Sequence, residues 1–175
     1  LGVPPEEVPE MAISPPLRQA FDDQIALEFS AAYAYLAMAA YFDHANFTGF
    51  AHWMKVQHEE EIEHAHKFFE FVLDRGERPH LEGIAEPPQG FSSVEEAVAA
   101  ALAHEQKVSA AIGRLYELAS KEKDFSSLPL LQWFLNEQIE EEATVGRILE
   151  RVRLAAGEPA ALLVLDGELA ARKGD

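Results

Sequence analysis

Residues 75–90 read RGERPHLEGIAEPPQG, and no helix survives glycines and prolines spread along that length. The stretch divides the chain into two pairs of long segments with helical periodicity. Segment 17–43 follows Pro15 and Pro16, with Ser14 placed as its cap, and segment 50–74 stops at Arg75-Gly76. Ser92 or Ser93, followed by Glu95 and Glu96, opens a third segment that runs to Lys121. The fourth carries Pro129 in its first turn and ends at Gly157, and a shorter amphipathic helix follows over 160–172. DHANFTG (43–49) and KDFSSLP (123–129) are short turns, so each pair reads as an antiparallel hairpin.

Helices of roughly 25–29 residues are each roughly 40 Å long. A link of about 16 residues stretches to roughly 50 Å, enough to travel the length of a bundle. The second and third helices are then parallel. The expected fold is all-α: an up-down-down-up four-helix bundle with one long crossover, and a short C-terminal fifth helix packed on its end. Residues 14–175 form one domain. Residues 1–13, which include the proline-rich acidic LGVPPEEVPEM, are an N-terminal extension with no assigned role.

Composition narrows the chemistry. A chain of 175 residues, 48 % hydrophobic, is long enough for one sizeable core. A net charge of −17 argues against nucleic acid and anionic membrane as partners and suits cations, although composition alone is explained at least as well by solubility. The apolar stretch near 25–42 contains Glu28, which argues against a membrane span. No basic, apolar leader precedes it, so a cytoplasmic location is the expectation. Without cysteine, any transition metal must be held by carboxylate, imidazole, amide or water.

Each helix carries an apolar stripe with a polar interruption. The stripes are Phe21, Ile25, Glu28, Ala32, Tyr35, Ala39; then Met54, Gln57, Glu61, His64, Phe68, Val72; then Val98, Leu102, Glu105, Val108, Ile112; and finally Leu131, Phe134, Gln138, Glu141, Val145, Ile148, Val152. A helix midpoint lies at the same level whichever way the helix runs. The interruptions Glu28, Glu61 with His64, Glu105, and Gln138 with Glu141 all fall near midpoints, so they converge on one small volume. Any one of these glutamates alone reads equally well as a snorkelling surface residue. Four carboxylates buried together repel and lose hydration, unless bound cations or protons compensate them. Glu61-Ile62-Glu63-His64 sets carboxylate and imidazole on one face a turn apart, as bundle cores do when they hold paired iron or manganese. A carboxylate-rich shell with one imidazole favours iron or manganese, with zinc able to compete.

At these residues the chain resembles a bacterial non-haem ferritin of the ferritin-like di-iron family, over about residues 17–170. Glu28 seven before Tyr35, HEEEIEH at 58–64, HEQ at 104–106, LQWFLNEQIEEE at 131–142 and LLVLDGEL at 162–169 carry the likeness. The resemblance implies an iron site A formed by Glu28, Glu61 and His64. Glu61 bridges to a site B completed by Glu105 and Glu141, with Gln138 behind the ligands or close to the B metal. It also implies a third iron position near Glu60, Glu137, Glu140 and Glu141. Tyr35 would hydrogen-bond near the centre and could supply an electron as a catalytic residue, with a core tyrosine as the alternative reading, and Trp133 would sit near the site or simply pack. Haem is not expected: bacterioferritins place a methionine where Ile62 stands and repeat Glu-x-x-His where Gln138-x-x-Glu141 stands. His52, His58, His66 and His80 are expected at solvent, and His104 turned away from Glu105.

The implied function is iron storage with ferroxidase activity. Fe(II) is oxidised by O2 or H2O2 at the di-iron centre and mineralised inside a homo-oligomeric cage of 24 subunits. Leu162, Leu163, Val164 and Leu165 would line fourfold contacts, and Glu117, Glu122 and Asp124 lie in the region of acidic pores. A small di-metal carboxylate oxidase or oxygenase without storage is the alternative, and a structural bundle without turnover is a third reading.

Overall fold

The computed structural model describes residues 12–174. Five helices follow in order: α1 Pro15–His44, α2 Thr48–Asp74, α3 Val94–Lys121, α4 Leu128–Leu154 and α5 Pro159–Leu169. Local chemistry sets their ends. The Ser14 hydroxyl accepts from the Leu17 amide ahead of Pro15 and Pro16, and the Ser93 hydroxyl accepts from the Glu96 amide at 3.1 Å. The Glu96 carboxylate reaches back to Ser92, which completes a reciprocal cap. α2 ends at Asp74, two residues before Gly76, whose φ of +77° suits a residue without Cβ.

Contacts between helices fix their directions. Phe42 stacks on Phe50 while Phe21 meets Phe68 and Phe71, so α1 and α2 are antiparallel. Gln57 bonds Glu141 while Phe68 stacks on Phe134, so α2 and α4 are antiparallel. Arg153 pairs with Glu95 and Gln138 bonds Glu105, which makes α3 and α4 antiparallel too. α2 and α3 are therefore parallel, as the long crossover requires. Fully buried Asp22 anchors that crossover, because its carboxylate accepts the His80 amide at 2.9 Å and pairs with Arg18 at 3.3 Å. Arg75 ties the far end of α2 to the α3–α4 turn through Asp124 and Ser127.

α1 is long and apolar enough to cross a membrane by length and composition, yet its inner face packs into the bundle around buried Glu28. The predicted stripes are the buried faces with one exception. Leu102 is half-buried, and Ala97, Val98 and Ala101 face the core beside it. Ile13, placed at the end of the extension, already packs into the core; residues 1–11 lie outside the described residues.

The core is split in two. One apolar cluster holds Met38, Phe42, Phe50, Met54, Val98 and Val145, and the other holds Phe21, Ile25, Phe68, Ile112, Leu131 and Phe134. Between them lies the level of Glu28, Glu61, Glu105 and Glu141. A protein core without a reason for polarity would be continuous there.

α5 ends at Leu169 and not at 172, because the chain turns after Leu169 and runs back along α2. It docks through Asp166, whose Oδ1 accepts the Phe50 amide at 2.9 Å. α2 has no side-chain cap of its own, so α5 supplies one from across the fold. The approach is close: a Cβ on Gly49 would lie 1.7 Å from the Asp166 carbonyl oxygen.

Candidate metal centre

Glu28, Glu61 and His64 offer ligand atoms that all lie within 4.8 Å of one another, and all three residues are buried. α1 contributes the first and α2 the other two, at the i, i+3 spacing that aligns side chains on one face. His64 Nδ1 is 3.6 Å from Glu61 Oε2. Burial, and then the charge of Glu61, push the Glu28 carboxyl well above the usual carboxylate range. Glu61 is likewise raised by burial and then by Glu105, and it also feels Glu141 and Glu60. Glu61 thus groups with Glu28 and His64 and also feels the charges of the α3 and α4 carboxylates.

Glu105 is raised chiefly by burial, against which hydrogen bonds from Tyr35 and Gln138 act. The Tyr35 hydroxyl donates to Glu105 Oε1, and Gln138 Nε2 donates to Oε2 at 3.1 Å. Glu141 is raised to about 7 by burial, then by Glu105 and Glu60, and its Oε2 accepts from Gln57 Nε2 at 3.0 Å. Gln24 holds Glu28 Oε1 at 2.7 Å. Each of Glu28, Glu105 and Glu141 is therefore oriented by an uncharged donor.

Several atoms in this layer have no hydrogen-bond partner although they are buried. They include Glu28 Oε2, both carboxylate oxygens of Glu61, His64 Nδ1 and Gln57 Oε1. Native interiors rarely leave such groups unpaired, because each forfeits its hydration without a replacement. A cation among them satisfies acceptors of this kind, as does a proton shared between the raised Glu28 and Glu61 carboxyls, and no apolar repacking does.

The outer residues of the predicted set behave differently. Glu60 is half-buried and paired with Arg172 at 2.6 Å. Glu137 is half-buried and Glu140 exposed, on the side of α4 next to Glu141. Glu59 and Glu63 face solvent. Trp133 sets its ring edge-on to His64 at 5.8 Å, under the Lys67 ammonium, so it packs against that imidazole while 40 % exposed. Tyr35 is both a core residue and a hydrogen-bond donor to the layer. Two histidines expected at solvent are engaged. His58 Nδ1–H donates to the Ala32 carbonyl and His52 Nε2–H to the Arg172 carbonyl, each at 2.8 Å. A carbonyl only accepts, so the ring nitrogen carries the proton in both. His66 and His80 are exposed. The sequence reading assigned no role to Gln24, although its place four residues before Glu28 on a helix was available as a signal. Arg172 left no signal, because its position depends on the path of the tail.

On the surface, Leu165 is buried and Leu162 half-buried, which leaves Leu163 and Val164 of the expected contact residues exposed. Glu122 accepts from Ser14 and Asp124 pairs with Arg75, whereas Glu117 is exposed.

Known proteins give the chain a family. A family model described as Ferritin-like domain matches residues 18–155. A bacterial non-heme ferritin from Staphylococcus haemolyticus is 38 % identical over 163 residues, covering 93 % of this chain and 98 % of that protein. The corresponding protein of Staphylococcus aureus strain USA300 is 35 % identical over the same shares. Among solved structures, an open-pore ferritin of the hyperthermophilic archaeon Archaeoglobus fulgidus superposes with a TM-score of 0.91 at 43 % identity, covering 93 % of this chain and 100 % of that one. A closed form of that ferritin, engineered by mutagenesis, gives 0.92 at 43 %, covering 94 % and 100 %. Sequence, fold and buried carboxylate layer agree: the chain belongs to the ferritin family.

Proposed function

We propose that this chain stores iron, and that it oxidises Fe(II) at two adjacent positions within the layer between its two apolar clusters. Glu28, Glu61 and His64 hold one ferrous ion; Glu61, Glu105 and Glu141 hold the other. The observation that carries this assignment is Glu61, whose two buried and unpaired carboxylate oxygens suit a bridge with one oxygen for each ion. Two Fe(II) each give up one electron, and one O2 or H2O2 accepts both. With two protons, O2 becomes H2O2, and H2O2 becomes water.

The protein's own groups prepare that step. Raised carboxyls release their protons when a cation replaces them, so binding charges the layer only as metal arrives. Gln24, Gln57, Gln138 and Tyr35 fix the carboxylates that face the ions without adding charge of their own. The apolar clusters above and below keep bulk water from the pair. Glu60, Glu137, Glu140 and Glu141 form a third iron position on the flank of the centre. Ile62 offers no thioether where a haem-binding methionine would stand, so haem is not part of this reading.

Assembly into a closed cage of 24 subunits in the cytoplasm belongs to the same reading. Leu154 and Val164 are exposed together beside Ala161 where α4 meets α5, Leu163 is exposed on α5, and Tyr33 and Leu36 are exposed on α1, which suits burial between copies. Size-exclusion chromatography followed by aerobic Fe(II) loading tests the whole proposal. The expected result is elution at roughly 24 times the 19.4 kDa chain, with hundreds to thousands of irons retained per assembly. A dimer holding about two irons per chain would refute storage in favour of a small di-metal oxidase.

A further inference from the structure

Beyond Leu169 the chain turns back and lies against α2. The His52 ring holds the Arg172 carbonyl, and a Cβ on Gly174 would stand 3.9 Å from the Val56 side chain. Between these points the Arg172 guanidinium lies over the indole of Trp53, 4.5 Å from its centroid, and Nη2 reaches Glu60 Oε2 at 2.6 Å. Trp53 is itself buried and meets Tyr35 edge-on at 6.3 Å. Tyr35 in turn donates to Glu105. A tail residue is thus linked through two aromatic rings to the carboxylate layer.

The electrostatics run the same way. Glu60 raises both Glu61 and Glu141, and Arg172 acts on Glu141 in the opposite sense. Its side chain and that of Glu60 keep 21 % and 16 % of their surface, so the pair is shielded without being sealed. Its Nη1 is buried with no hydrogen-bond partner, so docking leaves one donor unsatisfied and release rehydrates it. A guanidinium and a divalent ion compete for the same Glu60 carboxylate, and their like charges repel.

We propose that the C-terminal tail is a displaceable internal counter-ion. Arg172 occupies the cation position at Glu60 while the flank of the centre is metal-free, and a metal ion arriving there releases the tail from Trp53. The tail thereby weakens the third metal position and couples its filling to the cover over α2. This rests on the third position proposed above, and the test separates the two ideas.

The probe is Zn(II), whose closed shell does not itself quench tryptophan. A Trp133→Phe background leaves Trp53 as the single tryptophan. Calorimetric titration of the metal-free assembly is expected to show three binding events per chain, and Trp53 emission is expected to change with the third. Arg172→Gln and Arg172→Ala should each tighten that third event by about two- to fivefold and make the emission insensitive to metal. Glu60→Gln should remove the third event. Three events with unchanged affinity in both Arg172 variants, or steady Trp53 emission throughout, would overturn the tail's role and leave the third position standing. Two events in wild type and both Arg172 variants would overturn the third position and the tail's role with it.

Discussion

Replacing Glu141 by glutamine should stabilise the metal-free protein while impairing its chemistry. In the native fold this carboxyl is raised from 4.5 to about 7 by burial and by the neighbouring Glu105 and Glu60. A raised acid holds its proton in the folded state to higher pH than in the unfolded chain. The resulting penalty is small near pH 4.5, grows as pH rises, and levels off above about 7. At pH 7 the unfolded carboxyl is ionised and the native one half-protonated, which amounts to about 3 kcal/mol against folding. An amide avoids that penalty and keeps the local bonding. Its oxygen can accept from Gln57 Nε2, and its nitrogen can donate to Gln57 Oε1, which is buried and unpaired. Thermal melts of chelator-treated protein should therefore show Glu141→Gln higher by roughly 6–12 °C at pH 7, with the gain shrinking toward zero near pH 4.5. With Fe(II) present the ranking reverses in function, because one ligand of the second position has lost its charge. A variant less stable than wild type at pH 7, or a gain that persists at pH 4.5, would refute the reasoning that this layer is electrostatically strained.

Other consequences are separable. Glu61→Ala should keep the assembly intact yet slow Fe(II) oxidation by at least the roughly 10- to 100-fold that losing an outer partner of a metal ligand costs, as read by stopped-flow absorbance. Gly49→Ala should force α5 away from α2, because the new Cβ would sit 1.7 Å from the Asp166 carbonyl oxygen; a loss of about 1–3 kcal/mol and proteolysis after Arg172 should report it. Burial would raise Asp124, yet the Arg75 guanidinium overrides it and leaves the carboxyl below its usual range. That contribution is fully present above the ordinary aspartate value and is lost as pH falls from there through the lowered one, so Arg75→Ala should lose stability at pH 7 and show a smaller deficit in acid below the ordinary aspartate value in denaturant titrations.

The bundle was legible because its signals are local and repeated. Ser14, Ser93, Pro129 and the 75–90 stretch mark element ends by backbone chemistry, and the four stripes mark inner faces by period. The depth of Glu28, Glu61, Glu105 and Glu141 followed from geometry alone, since midpoints coincide in any bundle of equal helices. What stayed hidden depends on chain path. Asp166 capping α2, Asp22 receiving the His80 amide, and Arg172 reaching Glu60 each join residues 58 or more positions apart, across turns whose direction no local pattern encodes. His52 and His58 were misplaced for a related reason. Helical phase put them on a flank, but the carbonyls that receive them come from the tail and from α1. Leu165 failed differently: an apolar run in a short helix does not say which residues face the bundle and which face a neighbour.

The central claim is that the layer splitting the core binds two metal ions that share Glu61. Crystals soaked anaerobically in Fe(II) and measured at the iron absorption edge test it most directly. The account predicts two anomalous peaks within every chain, one among Glu28, Glu61 and His64 and one among Glu61, Glu105 and Glu141. Iron found only on the surface or between subunits, with the layer between the two apolar clusters empty, would contradict it.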